Sequence, residues 1–230
     1  MTLEEYKQVN LRKASVLMLG GFKPSGSPQS TNFGLNPVCQ PDEGWPHHNN
    51  TPLFYICQLN LTECPYVPDL LKDIRLLTLF ITPGAGLGTD MIEEVDGRKW
   101  VLRTYDSLEG LVPLVVPQGC TFKRGFEGKW DLVDDFPVYD DPDIILPEGF
   151  KNSDAHLDNF HCTKIGGFAS NIQSEQWWAN GTHPANPKYC FQIDSEEKVN
   201  LAWGDSGTLY IARGTAPGAQ DRWFLDLQFY

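Results

Sequence analysis

Nearly unbroken runs of apolar residues, rather than a helical period, dominate the hydrophobic pattern of this chain. One run covers residues 52–61 and is interrupted by Gln58 and Asn60, and a shorter run of the same kind covers 189–193. Such runs are typical of strands that are covered on both faces. Further strands are predicted over 16–19, 76–81, 99–105 and 111–116, and an alternating run predicts a last strand over 222–230.

Two short helices are predicted beside these strands. Thr2 is followed three residues later by Glu5, which indicates a capping box and a helix that runs towards Asn10. Apolar residues at helical spacing predict a second short helix over 68–75. The pattern as a whole predicts an α+β fold that is mostly β, with antiparallel sheets and a few short helices.

Three short motifs occur twice along the chain, in the same order. Residues 19–22, 58–60 and 78–81 correspond to residues 165–168, 192–194 and 208–211. The spacings differ between the copies, but loop insertions at a surface cost little entropy. The repetition predicts an internal duplication. We expect a single compact domain over 1–230, made of two similar β-rich halves, about 14–82 (the first half) and 160–230 (the second half), joined by 83–159.

One glutamine interrupts the apolar run of each half, Gln58 in the first and Gln192 in the second. A buried amide that lacks a hydrogen-bond partner costs about 1–3 kcal/mol, so both side chains must be hydrogen-bonded. We interpret them first as structural ties to the backbone and second as contacts to a ligand.

The order of these motifs resembles that of the YwqG-like bacterial proteins of unknown function. The shared elements are Gly20-Gly21-Phe22, Trp45-Pro46, Gln58-Leu59-Asn60, Leu79-Phe80-Ile81, Lys164-Ile165-Gly166-Gly167 with Gln173, Gln192-Ile193-Asp194 and Trp203-Gly204-Asp205-Ser206-Gly207. The family's proline after the second glycine pair is replaced by Ala169. YwqG-like proteins occur among bacterial toxin and immunity gene clusters. The resemblance therefore implies an inhibitor that sequesters a toxin in the cytoplasm.

Acidic residues outnumber basic ones, 30 to 18, which gives a net charge of −12. Phosphate binding needs a concentrated basic surface, so this balance argues against nucleic acid as a partner. An acidic surface instead attracts a basic partner such as a toxin protein.

Aspartates cluster between residues 130 and 143, and four of them are candidates for a partner-binding surface: Asp134, Asp135, Asp140 and Asp141. The alternative interpretation is a solvated loop that connects the two halves. A calcium site is not predicted, because the sequence over 140–143 lacks the alternating ligands and the central glycine of a calcium loop.

No cofactor, metal site or membrane contact is predicted. The six cysteines show no C-x-x-C pair and no metal spacing, and the glycine-rich stretch 84–88 lacks the spacing and the lysine of a phosphate loop. Glu4 and Glu5 oppose a signal peptide, and no apolar run is long enough to span a membrane. We expect a cytoplasmic protein.

Residues 204–207 reproduce the Gly-Asp-Ser-Gly signature of chymotrypsin-like proteases, with Ser206 as the nucleophile. A nucleophilic serine needs a histidine base and backbone donors for the oxyanion, and the histidine setting of those proteases is absent. We therefore assign no catalytic residue. Asp205 is expected to cap the turn through its carboxylate.

Three functional hypotheses follow. The first is a binding protein, in its specific form an immunity protein that sequesters a toxin. The second is a small-ligand-binding domain with a pocket between the halves, lined by Trp203, Asp205, Gln58 and Gln192. The third, an unrecognised hydrolase, is the weakest, because no nucleophile, base and orienting group can be assembled. Besides the four aspartates, the candidate binding residues are Trp45, Gln58, Gly166, Gly167, Gln173, Gln192, Trp203 and Asp205.

Overall fold

The computed structural model of the protein describes residues 2–82, 99–137 and 157–230. Within these residues there is one α-helix, α1 (Leu3–Asn10), which begins at the predicted capping box. The backbone N–H of Glu5 donates to Thr2 Oγ1 over 3.2 Å, and the N–H of Thr2 donates to Glu5 Oε2 over 2.7 Å. The helix packs against the rest of the chain through Tyr6, which is buried with Phe136 and Leu157.

The described residues form fourteen strands, most of them at or near the predicted apolar runs. They are β1 (Arg12–Leu19), β2 (Asn32–Phe33), β3 (Val38–Cys39), β4 (His47–His48), β5 (Thr51–Pro52), β6 (Phe54–Asn60), β7 (Leu76–Ile81), β8 (Trp100–Tyr105), β9 (Val112–Pro113), β10 (Phe126–Asp135), β11 (Lys164–Gly166), β12 (Pro187–Asp194), β13 (Thr208–Gly214) and β14 (Trp223–Gln228). Short 3₁₀ helices cover Leu61–Glu63, Asp69–Leu71 and Glu197–Val199. The mostly β, antiparallel fold that the sequence predicts is confirmed.

Ten of these strands form one antiparallel sheet with a symmetrical order. From one edge to the other the order is β14-β13-β12-β11-β1-β10-β2-β6-β7-β8. The central pair is β1 and β10, and each side then continues with one short strand and three longer ones. β3 pairs with β9, and β4 pairs with β5, in two small additional sheets.

The large sheet curls around one hydrophobic core. The core contains Leu79 of the first half and Phe191 of the second, and also residues of both edge strands, Trp100 of β8 and Leu225 of β14. Because both edges contact the same core, the sheet forms a nearly closed barrel. Arg213 of β13 links the halves outside the core, donating from Nη1 and Nη2 to the two carboxylate oxygens of Asp73 over 2.6 and 2.7 Å.

The two sides of the sheet repeat several contacts at corresponding positions. Asn32 is paired with Gln58 as Lys164 is paired with Gln192. The hydroxyl of Thr31 accepts from the N–H of Asn60, and that of Thr163 accepts from the N–H of Asp194, both over 3.0 Å. The strands β6 and β12 each carry a register irregularity that begins three residues before the glutamine. These contacts make Gly34, which follows β2, the structural counterpart of Gly166, whereas the motif comparison assigned that role to Gly20. The internal duplication itself stays a prediction, which the repeated contacts support.

Three sequence-based expectations differ from the structure. The predicted helix over 68–75 is a single 3₁₀ turn, Asp69–Leu71, because the N–H groups of Leu71, Lys72 and Ile74 bond to carbonyls three residues back rather than four. The predicted strand over 111–116 is reduced to the two residues of β9. The acidic stretch that begins at Trp130 is not a connecting loop: its first six residues complete β10, a central strand, because Trp130 is buried in the core. Asp140, Asp141 and the glycine-rich stretch 84–88 lie outside the described residues.

Candidate functional site

The predicted site residues Asp135, Gly166, Gly167 and Gln192 come together at one end of the central strands. Asp135 closes β10 and is fully buried, as is Lys164 of β11. Lys164 Nζ donates to the two carboxylate oxygens of Asp135 over 2.9 and 3.1 Å. Burial is the main influence on Lys164 and lowers its pKa, while the nearby carboxylate opposes that shift. The sequence motifs contain Lys164, but only the fold reveals its acidic partner.

The carboxylate of Asp135 also fixes the backbone around it. It accepts from the N–H of Phe160 over 3.0 Å and from the N–H of Phe168 over 2.7 Å. Gly166 and Gly167 turn the chain over this carboxylate with φ values of +78° and +67°. A Cβ on Gly167 would collide with Asp135. The second glycine pair is therefore required for the packing of an anchored turn, which explains it without a bound ligand.

Gln192 and Gln58 serve as structural ties in their two halves. Gln192 Oε1 accepts from the N–H of Ser170 over 3.0 Å, and its Nε2 donates to the carbonyl of Cys162 over 3.0 Å. Gln58 Oε1 accepts from the N–H of Val38 over 2.8 Å, and its Nε2 donates to the carbonyl of Ser30 over 2.8 Å. Both side chains are fully buried, so each one fastens a covering loop to the sheet.

The motif of residues 203–207 combines a buried tryptophan with an exposed turn. Trp203 is fully buried, and its indole N–H has no hydrogen-bond partner among the described residues. Asp205 and Ser206 are exposed, and Ser206 has a φ of +51°. Within the described part of the chain no histidine bonds to Ser206, and the carboxylate of Asp205 makes no capping bond. The contact of Asp205 is instead through its carbonyl, which accepts from the N–H of Tyr230 over 3.1 Å.

The remaining motif residues hold loops against the strands. Trp45 donates from Nε1 to the carbonyl of Leu53 over 2.8 Å, and its ring meets Phe80 edge-on at 5.2 Å. Gln173 donates from Nε2 to the carbonyl of Phe229 over 2.6 Å. The side chains of Trp45 and Gln173 are therefore already engaged in contacts within the chain, although both residues lie in loops.

Two surface cavities lie among the described residues at the glycine pairs, and none of Trp203, Asp205, Gln58 and Gln192 lines either of these two. One has a volume of about 470 Å³ and lies beside the first glycine pair, lined by Gly20, Gly21, Phe22, Pro24, Leu35, Gly125, Phe126 and Glu127. The other, of about 170 Å³, lies beside Arg12 and Phe168. The larger cavity involves Gly125, Phe126 and Glu127, which no sequence motif marked.

A different set of residues is exposed along β10. Asp131, Leu132 and Asp134 all reach solvent, and Leu132 is 51% exposed. Asp134 forms an exposed ion pair with Lys13 on the neighbouring β1. We call residues 131–134 the β10 surface. It is the only part of the predicted acidic stretch that lies within the described residues and faces solvent.

The cysteines are all free thiols, and most are buried. Burial raises the pKa of Cys162 to about 11 and that of Cys190 to about 12, so both thiols are protonated at neutral pH. Among the described residues no group of His, Cys, Asp and Glu side chains is arranged to hold a metal ion. No helix in the same residues is long and apolar enough to cross a membrane.

Comparison with known proteins gives one family. Residues 31–212 match the model of DUF1963, a domain of unknown function. The match covers most of the chain, from β2 into β13. No curated protein matches the sequence.

Proposed function

Because the chain belongs to the DUF1963 family, whose function is unknown, we propose its function from the structure: it is a binding protein that sequesters a basic protein partner. The observation that carries this proposal is the β10 surface, where acidic and apolar side chains are exposed together on a strand edge. In its specific form, which rests on the resemblance to YwqG-like proteins, the proposal is an immunity protein that neutralises a bacterial toxin in the cytoplasm.

The backbone of the β10 surface offers hydrogen bonds to an added strand. The N–H of Gly128 donates to the carbonyl of Thr31, the residue before β2, so the backbone groups of alternate residues, Leu132 and Asp134, point to the same side as β2. β2 pairs with β10 only at Phe126 and Glu127. Among the described residues nothing bonds the backbone of Leu132 or Asp134 on that side. Unpaired strand edges bind extended segments of other proteins by strand addition.

The side chains define the chemistry of that segment. Asp131 is exposed and has no ion-pair partner in the described residues, while Leu132, the next residue, offers apolar area on the opposite face of the strand. Asp134 is paired with Lys13 in an exposed contact, which a guanidinium of the partner can replace because exposed pairs contribute little. The net charge of −12 steers a basic molecule towards the protein. The expected partner therefore presents an extended segment that carries basic and apolar residues.

The test co-expresses the protein with a candidate basic toxin from the reading frames on either side of its gene, and it measures rescue of bacterial growth together with the Kd of the purified pair. Leu132→Pro removes an N–H that points to the free edge and leaves the pairing with β1 intact. We expect it to weaken binding at least tenfold, whereas Leu132→Ala keeps the N–H and weakens binding less. Asp131→Lys should weaken binding more at low salt than at high salt.

The matched control for charge is Glu197→Lys, an exposed position in the 3₁₀ helix Glu197–Val199, outside the β10 surface. It should leave the Kd within about twofold of the wild type. Two results count against the proposal: wild-type protein that does not protect cells from an active toxin, or a folded Leu132→Pro variant that binds as tightly as Leu132→Ala.

A further inference from the structure

The larger cavity carries a second, independent site. We propose that the cavity beside Gly20 and Gly21 binds a small organic cation, an ammonium or guanidinium group attached to an apolar or aromatic body, with Glu127 as its counter-ion. This proposal uses none of the residues of the β10 surface and does not depend on a protein partner.

The volume and the walls of the cavity suit a small apolar molecule. At about 470 Å³ it lies within the range of roughly 300–1,000 Å³ that is typical of small-molecule sites. Phe22, Pro24, Leu35 and Phe126 line it with apolar area. Leu35 is 37% exposed, so the cavity is accessible from solvent.

The glycines on the wall bring the backbone close to the aromatic ring and leave room for a ligand. A Cβ on Gly20 would lie 2.9 Å from Phe126 Cδ1, so Gly20 allows the ring to pack directly on the chain. A Cβ on Gly21 would meet no atom within 4 Å, which places open space above this residue. The first glycine pair thus differs from the second, whose space is filled by Asp135 and Tyr66.

Glu127 supplies the charge that selects the ligand. Only 7% of this residue is exposed, although it lies on the cavity wall. Its oxygens accept one bond each, Oε2 from the N–H of Ser25 over 2.7 Å and Oε1 from the N–H of Gly26 over 2.8 Å. A carboxylate has about four acceptor positions, so two remain.

No cation of the protein neutralises this carboxylate in the described residues. The ion pairs there involve other groups, such as Lys164 with Asp135, and none includes Glu127. A buried carboxylate without a counter-charge is costly, and a cation on its open side removes that cost. Phe22 and Phe126 also line the cavity, and aromatic rings attract a cation that lies over their faces.

The experiment compares three probes with the same aromatic body: phenethylamine, its neutral analogue 2-phenylethanol and the anion phenylacetate. Binding is measured by titration calorimetry and by amide shifts of Gly20, Gly21 and Gly125 in ¹H–¹⁵N spectra. We expect the amine to bind about tenfold or more tightly than the alcohol, because the charge-assisted bond to Glu127 is made only by the amine. Phenylacetate should bind weakest.

Glu127→Gln should abolish the preference for the amine, while Glu63→Gln is the matched control. Glu63 also accepts from a backbone N–H, that of Thr31 over 2.9 Å, but does not line the cavity. Leu35→Trp provides a second test should Glu127→Gln fold poorly, because it fills the cavity from a partly exposed position and should block all three probes.

Three results overturn the proposal. The first is the absence of any saturable shift at the glycine amides with the amine at about millimolar concentration. The second is an equal affinity of amine and alcohol for the wild type, or an unchanged amine preference in a folded Glu127→Gln variant. The third is tighter binding of a capped lysine amide than of phenethylamine, which would assign the cavity to a side chain of a protein partner.

Discussion

Removal of the charge of Asp135 is expected to be one of the most destabilising conservative changes in this chain. Asp135 is fully buried, pairs with Lys164 at 2.9 Å and holds the N–H groups of Phe160 and Phe168. Asp135→Asn has nearly the same shape, but it leaves the ammonium group of Lys164 buried without a counter-ion. Loss of one partner of a buried pair costs about 3–5 kcal/mol. A domain of this size is stabilised by about 5–15 kcal/mol, so the loss is measurable.

The neighbouring residue provides the matched control for this change. Asp134→Asn removes an exposed ion pair with Lys13 and should cost about 0–1 kcal/mol. The free energy of unfolding is measured for both variants by urea titration followed by tryptophan fluorescence. The double variant Lys164→Met with Asp135→Asn should be less destabilised than the sum of the two single changes, because no buried ammonium remains. Equal stabilities of Asp135→Asn and Asp134→Asn would refute the reasoning.

Three further predictions concern stability and its pH dependence. Gly167→Ala should lower the free energy of unfolding more than Gly21→Ala, because both residues have a positive φ, which costs about 1–2 kcal/mol for alanine, but only Gly167 faces Asp135. Thermal unfolding of the two variants checks this, and equal losses of stability would contradict it. Gln192→Leu should cost about 1–3 kcal/mol for each of the two backbone groups that it leaves unpaired, measured in urea against the exposed control Gln173→Leu. Burial raises the pKa of Asp226 above its ordinary value of 3.8, so the stability that the protonated side chain contributes is lost as pH rises through that raised pKa. The free energy of unfolding of Asp226→Asn should therefore increase relative to that of the wild type from acidic to neutral pH, and a difference that does not change with pH would count against this.

The strands and the role of the two glutamines could be predicted from the sequence because their signals are local. Runs of apolar residues identified β6, β7 and β12, and a buried amide must be hydrogen-bonded wherever it lies. The place of β10 could not be predicted, since the stretch from Trp130 to Asp135 alternates weakly and carries three aspartates, a residue type that is typical of loops. Its pairing with β1 depends on residues more than a hundred positions away. The partnership of Lys164 with Asp135 is long-range for the same reason.

The cavity at the first glycine pair could not be predicted, because its wall includes Gly125, Phe126 and Glu127, which no sequence motif marks. Gly20 and Gly21 share a short word with Gly166 and Gly167, but the backbone contacts place Gly34 opposite Gly166. A match of sequence words compares side chains in order, whereas the repeated contacts are between backbone groups in register. The register therefore separates the first glycine pair, which lies beside a cavity, from the second, which packs on Asp135.

The same register shows that a charged residue has a counter-ion at one of two corresponding strand pairs and lacks one at the other. The N–H of Leu17 donates to Thr163 as the N–H of Gly128 donates to Thr31, so the residues before them, Val16 and Glu127, also correspond. Val16 is paired with Lys164, and Glu127 is paired with Asn32. In the pair of β1 with β11 the charged residue is the cation Lys164, and Asp135 from the end of β10 neutralises it. In the pair of β10 with β2 the charged residue is Glu127, its neighbour Asn32 is neutral, and a cavity lies beside Glu127. The first of these strand pairs thus has its counter-charge within the chain, whereas at the second the counter-charge is the cation that the proposed ligand supplies.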